Sequence, residues 1–308
     1  MRRDFVTQVL IEMDRDPSIV FLTADLGFNA LEKIKERFSD RFLNVGIAEQ
    51  HMIGMASGLA LEGKKVIAYS IASFATMRPY EQIRDDVCYH NLDVKIVGTG
   101  GGYNYPTHGV THHTVEDVAI MNVLPHMQVL CPGYSWEARE GTKAMLRHKG
   151  SAYIRLGKSP GIAYEAHKRF SFALGKGFVV REGRDIVLVS TGNVLDVTLA
   201  TADLLEQKYN LSVCVLSMPS LKPFDEKLLL ARARKAKGIF TIEEHSSTGG
   251  LGAIASSVLF AHGIDGTKFH AFGFPPESFL KDVGDRDYLL RQVGLEPKQL
   301  VRSIMRHL

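Results

Sequence analysis

Five continuous apolar runs, each followed by a stretch of helical periodicity, constrain the first half of this chain more than any other feature. They are Ile19–Thr23, Lys65–Tyr69, Val94–Gly98, Met127–Cys131 and Ala152–Leu156. Apolar runs without polar alternation suit strands covered on both faces, as in a parallel sheet. The helical periods between them fall at residues 3–14, 30–38, 48–62, 77–90, 115–123 and 135–148. Alternating strands and helices predict a doubly wound α/β sheet, whose ligands gather at the carboxyl ends of the strands.

A second, smaller α/β set follows. Asp185–Gly192 runs into a helix over 193–208, Leu211–Leu216 and Gly238–Ile242 are further strands, and Phe269–Phe274 is the last. A helix begins near Gly249–Gly252. The closing helix starts at Glu296 with Pro297 in its first turn and buries Leu300, Val301, Ile304 and Leu308. Gly157–Gly161 and the polar Glu165–Arg169 mark a connector. This gives domains at 1–165 and 172–308, a division that a length of 308 residues supports. A net charge of +3 without a dense basic run excludes nucleic acid as an expected partner. No stretch suits a membrane span, and Met1–Phe5 lacks a signal core. Cys88, Cys131 and Cys214 are odd in number and lie in apolar runs, which reads as buried thiols in a reducing cytoplasm.

Three segments carry candidate chemistry. In Asn44–Ala60 a single carboxylate, Glu49, opens a helix of small residues. Met52, Met55, Ala56 and Leu59 form its apolar stripe, and Gly54 and Gly58 would allow close approach of another backbone. Locally, Glu49 reads first as an N-terminal cap, ahead of a functional acid. Phe74, Met77 and Tyr80 recur every three residues, so one helical turn would set them side by side, either as core or as a ring-binding wall. Thr107–Glu116 holds His108, His112 and His113, but no ligand spacing completes a metal site there. Glu243-Glu-His245 and the glycines to Gly252 form a glycine-rich turn. It lacks the downstream acid of a nucleotide loop and is assigned to structure.

Gly46-Ile-Ala-Glu-Gln-His51 resembles the glutamate motif of the pyrimidine-binding domain of thiamine diphosphate enzymes, within the transketolase and deoxyxylulose-phosphate synthase group. The resemblance implies that Glu49 bonds N1′ of the cofactor's aminopyrimidine and favours the imino tautomer that activates the thiazolium carbon. It implies further that Phe74, Met77 and Tyr80 enclose the pyrimidine, with Met77 where an aromatic is common. Thr111-His112 matches a Thr-His pair lining the substrate channel. His108 stands where an aspartate is usual, and Gly100 where a phosphate-binding histidine is usual. Asp25, in Thr23-Ala-Asp-Leu-Gly27, is a cofactor-side residue. Asn29 and Arg2 are substrate-phosphate candidates. Arg155 is another, unless it forms a salt bridge at the domain junction.

The resemblance runs from one end of the chain to the other and includes no Gly-Asp-Gly…Asn site for the cofactor's diphosphate. It therefore implies a split enzyme. A partner chain, the N-terminal transketolase subunit, would hold the diphosphate through Mg²⁺ (or Ca²⁺) in an α₂β₂ heterotetramer. The expected reaction is transfer of a two-carbon ketol unit from a ketose or its phosphate to an aldose. The alternatives are a 2-oxoacid dehydrogenase β subunit, a deoxyxylulose-phosphate-type synthase and a catalytically silent assembly subunit.

Overall fold

The computed structural model describes residues 1–157, 171–264 and 266–308; the connector beyond Gly157 lies outside them. The strands are β1 (Ile19–Thr23), β2 (Phe42–Asn44), β3 (Lys65–Ile71), β4 (Val94–Thr99), β5 (Gln128–Leu130), β6 (Ala152–Leu156), β7 (Phe178–Arg181), β8 (Ile186–Ser190), β9 (Val213–Ser217), β10 (Ser220–Lys222), β11 (Gly238–Ser246) and β12 (Lys268–Phe274). The helices are α1 (Arg2–Arg15), α2 (Glu32–Arg37), α3 (Glu49–Leu61), α4 (Ala72–Thr76), α5 (Tyr80–Gln82), α6 (Asp117–Val123), α7 (Ser135–Arg147), α8 (Leu195–Tyr209), α9 (Glu226–Ala233), α10 (Leu251–Ala261), α11 (Arg286–Gln292) and α12 (Pro297–His307).

Two sheets result. The first has seven strands in the order β10-β5-β6-β4-β3-β1-β2, parallel apart from β10. The second has five, in the order β12-β11-β8-β9-β7, with β7 antiparallel. The fully apolar runs occupy the central positions: every residue of β1, β4 and β6 is buried. Helices cover both faces, as the sequence pattern requires. In the first sheet the winding reverses at β1. The chain leaves β1 for β2 on one side and returns through α3 to β3 on the other. Such a switch point opens a crevice beyond the carboxyl ends of the strands, and the linker from β2 into α3 lies there.

Several elements depart from the sequence expectation. The helix expected over 77–90 begins instead as a turn through Pro79, followed by α5 and a π-helical stretch at Ile83–Cys88, and the separate short helix α4 precedes it. Pro79 has no amide hydrogen and disfavours helical backbone at Arg78, so the chain must restart after it. Strand β11 continues past Ile242 to Ser246, which places Glu243, Glu244 and His245 in a strand end rather than a turn. Strand β10, from the second half, adds an antiparallel edge to the first sheet. Strands β2, β7 and β10 and helix α11 are too short for periodicity to reveal.

Candidate functional site

Glu49 is the first residue of α3, but it does not cap it: α3 has no side-chain cap bond at its N-terminus. Helical spacing instead aligns Glu49 with buried Met52, Ile53 and Ala56, so its carboxylate turns inward toward the end of β3. It is 4% exposed. Arg78 Nη1 lies 2.9 Å from Oε2, and Ser70 Oγ donates to Oε1 at 3.4 Å. Gly54 and Gly58 sit on the opposite, exposed face, where an added Cβ would meet nothing within 4 Å. Among the described residues, no backbone outside α3 approaches them.

From Glu49 a connected group of side chains runs across the ends of β3 and β4. The Arg78 guanidinium carbon stands 3.9 Å from the Phe74 ring centroid. Phe74 meets the edge of His112 at 5.1 Å, and His112 lies 4.7 Å from His108 between ring centroids. Met77, 38% exposed, follows α4 at the rim of the group. Tyr80 is half-buried and donates its hydroxyl to Ile120 O at 2.9 Å, so its ring is held in place rather than free to turn. Ser73 Oγ donates to Thr111 O at 3.0 Å and ties the histidine loop to α4.

Tyr105, which the sequence pattern does not single out, edges both His108 and His112 at 5.6 and 5.7 Å. Gly100 has a φ of +76°, and its missing side chain leaves the space that the Tyr105 ring fills. The glycine noted as a departure from the family pattern is thus the seat of an aromatic. Burial, followed by the neighbouring charges of His108, His113 and Arg78, holds the His112 imidazole below its usual pKa. His112 therefore stays neutral at neutral pH and can accept a proton.

The outlying candidates fall in three places. Asp25 follows β1 in left-handed backbone (φ +51°) and pairs with Asn44, which donates to its carboxylate at 3.0 Å. Asn44 Oδ1 also accepts from Gly46 N at 3.1 Å, so Asp25 is coupled to the turn that launches α3. Asn29 (φ +59°) is held locally, its backbone amide donating to Glu32 Oε1 at 2.6 Å. Arg2 opens α1, and its charge acts on the phenols of Tyr69 and Tyr105.

Arg155 is not at an open strand end. It is buried, with Nε 3.1 Å from Asp117 Oδ2, while Nη2 donates to Thr114 O and Glu244 O at 2.6 and 2.9 Å. Of the two readings left open by the sequence, the structure forms the junction salt bridge, and a guanidinium so engaged does not face solvent for a phosphate.

The glycine-rich turn is likewise closed. Glu243 accepts from Leu251 N and Gly252 N at 2.7 and 2.8 Å, so the chain's own carboxylate fills the N-terminus of α10 where a nucleotide phosphate would sit. Burial first of all raises the pKa of Glu243, to about 7.

The residues around Glu49 fit the aminopyrimidine end of thiamine diphosphate. They offer a buried carboxylate that its own helix leaves unused, beside an aromatic face and a polarizable thioether at an open rim. No group of three or more His, Cys, Asp or Glu side chains converges on a metal-sized site among the described residues.

Comparison with known proteins agrees with this geometry. Residues 3–161 match the transketolase pyrimidine binding domain and residues 175–300 the transketolase C-terminal domain. A Methanocaldococcus jannaschii protein named as a transketolase C-terminal section is 34% identical over 97% of this chain and 93% of its own length. A 6-deoxy-6-sulfo-D-fructose transketolase subunit from Clostridium sp. strain MSTE9 is also 34% identical, over 98% of this chain and 92% of that protein. The solved structure of a split gene transketolase, described as an inactive beta4 tetramer, superposes with a TM-score of 0.87 at 34% identity, covering 99% and 97% of the two chains.

Proposed function

The chain belongs to the transketolase family, as a C-terminal section joining the pyrimidine-binding and C-terminal domains, and from that premise we propose that it completes a thiamine diphosphate site presented by a second chain. It is a subunit of a split transferase of ketol units. The carrying observation is the buried Glu49 carboxylate, unused as a cap by its own helix and turned toward the end of β3, where its partner Arg78 lies on Phe74.

Thiamine diphosphate, when bound, supplies the electron sink for breaking and making the carbon–carbon bond. Everything else falls to side chains of this subunit and its partner. Glu49 would hold the pyrimidine ring through a hydrogen bond at N1′ and so set its tautomer. To do so it must exchange its pairing with Arg78, whose guanidinium lies on Phe74 and is half exposed. Phe74, Met77 and Tyr80 seat the ring, and Asp25 steadies the α3 turn through Asn44. Neutral His112 takes a proton from the donor's hydroxyl and returns it to the acceptor, with His108 beside it. Arg2, rather than Arg155, is the candidate cation for a substrate phosphate, and Asn29 lies near the mouth of the β1 end.

The partner would be an N-terminal transketolase subunit that holds the diphosphate and Mg²⁺, most simply as α₂β₂. Support comes from the uncovered face of α3, where Gly54 and Gly58 lie beside Ile47 and Leu61, 76% and 66% exposed. Large exposed apolar side chains on a small-residue helix suit close packing against another chain. The free, buried Cys88, Cys131 and Cys214 fit a reducing cytoplasm. Among the described residues no helix is long and apolar enough to cross a membrane.

Mutation of Glu49 tests the reading. Glu49→Gln in the reconstituted two-chain enzyme should lower kcat for ketol transfer at least about 100-fold, the scale of losing a positioned acid–base group. Activity at the wild-type level would remove Glu49 from the mechanism.

A further inference from the structure

The segment bearing His108 and His112 is closed at its base and gripped from the second domain. Gly102 and Thr114 exchange both backbone hydrogen bonds, at 2.7 and 3.0 Å, which makes residues 102–114 a loop with a two-residue neck. Inside the first domain Arg155 Nη2 donates to Thr114 O at 2.6 Å, and further bonds reach the neck and its neighbours from the second domain. Glu244, on β11 of the second domain and 3% exposed, accepts the Tyr103 amide through Oε1 at 2.6 Å. Its other oxygen receives Arg286 Nη2 and Nε at 2.7 and 3.1 Å. Ser246 N donates to Val115 O at 2.7 Å, and Asn193 Nδ2 donates to Asn104 Oδ1 at 2.7 Å. Gly102 itself admits no side chain: a Cβ there would stand 2.7 Å from the Glu244 carboxyl group.

We propose that Glu244, clamped by Arg286, is a positioning residue for the histidine loop, so that the C-terminal domain sets the geometry of the donor proton-transfer groups. The claim rests on the functional reading of His112 given above. It assigns the Glu-Glu-His strand end a role beyond joining domains. Each carboxylate oxygen has a distinct partner, one on the loop neck and one on α11. The charge-assisted bond from Arg286 keeps the carboxylate oriented, and the oriented carboxylate fixes the Tyr103 amide. From that amide the chain runs to Tyr105, whose ring edges both His108 and His112. Glu49 is held by Arg78 and Ser70, neither of them on the loop, so cofactor binding should respond to Glu244 far less than donor chemistry does.

The test uses the two-chain enzyme with thiamine diphosphate, Mg²⁺ and hydroxypyruvate as donor, comparing wild type with Glu244→Ala, Glu244→Gln and Asn193→Ala. Glu244→Ala should reduce kcat/KM for hydroxypyruvate at least tenfold and move the acid limb of its pH profile, while the cofactor Kd stays within twofold. Glu244→Gln, which keeps an acceptor for the Tyr103 amide, should recover most of the loss. Asn193→Ala should act in the same direction to a smaller extent, and it serves as the test if Glu244→Ala does not fold. A purely structural role would lower the melting temperature or the amount of active enzyme without moving the pH profile, and that result would overturn the proposal. Hydrogen exchange on the isolated chain separates this inference from the functional reading. If wild type shows no ketol transfer, the reading fails. Faster exchange of the 103–114 amides in Glu244→Ala would still establish the brace, and unchanged exchange overturns it in either case.

Discussion

At the scale of single residues, Glu49 shows how a local reading and a tertiary one diverge. An acid in the first turn of a helix ordinarily serves the helix dipole. Here the apolar stripe of α3 continues through Met52, Ile53 and Ala56, and Glu49 shares that stripe, so folding carries the carboxylate inward. That outcome was only partly legible: helical spacing can put the acid on the core face, but local physics alone puts the cap reading first, and the buried stripe includes Ile53, which the sequence stripe left out. The fate of Arg155 was not legible. Its partner Asp117 and the Thr114 carbonyl lie far from it in sequence and meet it only once β4 and β6 pair. Tyr105 was missed because nothing in its own segment reveals that Gly100 leaves room for it. A pH profile tests His112. Its folded pKa lies below the ordinary 6.5, burial being the main cause, so the neutral form persists to more acid pH than in a free imidazole. Donor kcat/KM should therefore hold as pH falls to 6.5 and decline beneath it. A limb centred above pH 7 that survives His112→Asn would assign the proton transfer elsewhere.

At the scale of elements, apolar continuity located the central strands, while breaks and short edges escaped it. Pro79 divides a helix whose hydrophobic period runs through it without a gap. Strands β2 and β10 have three residues each, too few to show a period. The start of α7 gives an element-scale prediction. Glu137 is fully buried and accepts Gly133 N and Tyr134 N at 2.7 and 3.2 Å, while Ser217 Oγ donates to it at 2.8 Å. Burial dominates these bonds and raises its pKa from the ordinary 4.5 to about 7. The native state then binds a proton that the unfolded chain has released between these values. The stabilisation is complete below pH 4.5 and is lost as pH rises through 7. Glu137→Gln, which cannot ionise, should gain on wild type across that window in urea unfolding. A stability difference that is flat from pH 4.5 to 7.5 would show that Glu137 is ionised throughout.

At the scale of the whole molecule, the two domains share buried apolar clusters and also meet through a buried polar seam. Asp117, Arg155 and Tyr153 belong to the first domain, Glu244 and Arg286 to the second, and Tyr153 Oη donates to Asp117 Oδ2 at 2.5 Å. Removing one member of such a seam strands the others without charge compensation. Arg155→Met should cost about 3–5 kcal/mol in unfolding free energy, the range for breaking a buried pair. A loss below about 1 kcal/mol would mean that the seam is solvated. The same seam holds the histidine loop between the domains, which is why stability and donor chemistry should be linked there and separate at Glu49. Two domains of this family within one chain, a buried acid with no use in its own helix and an uncovered α3 face all support the proposal that this chain supplies half of an active site. The most direct measurement titrates this chain into a fixed amount of an N-terminal transketolase subunit with thiamine diphosphate and Mg²⁺, reading ketol transfer from hydroxypyruvate. Activity should be absent from either chain alone and should saturate at one copy of each. Ketol transfer by this chain alone, or none from the assembled pair, would contradict the account.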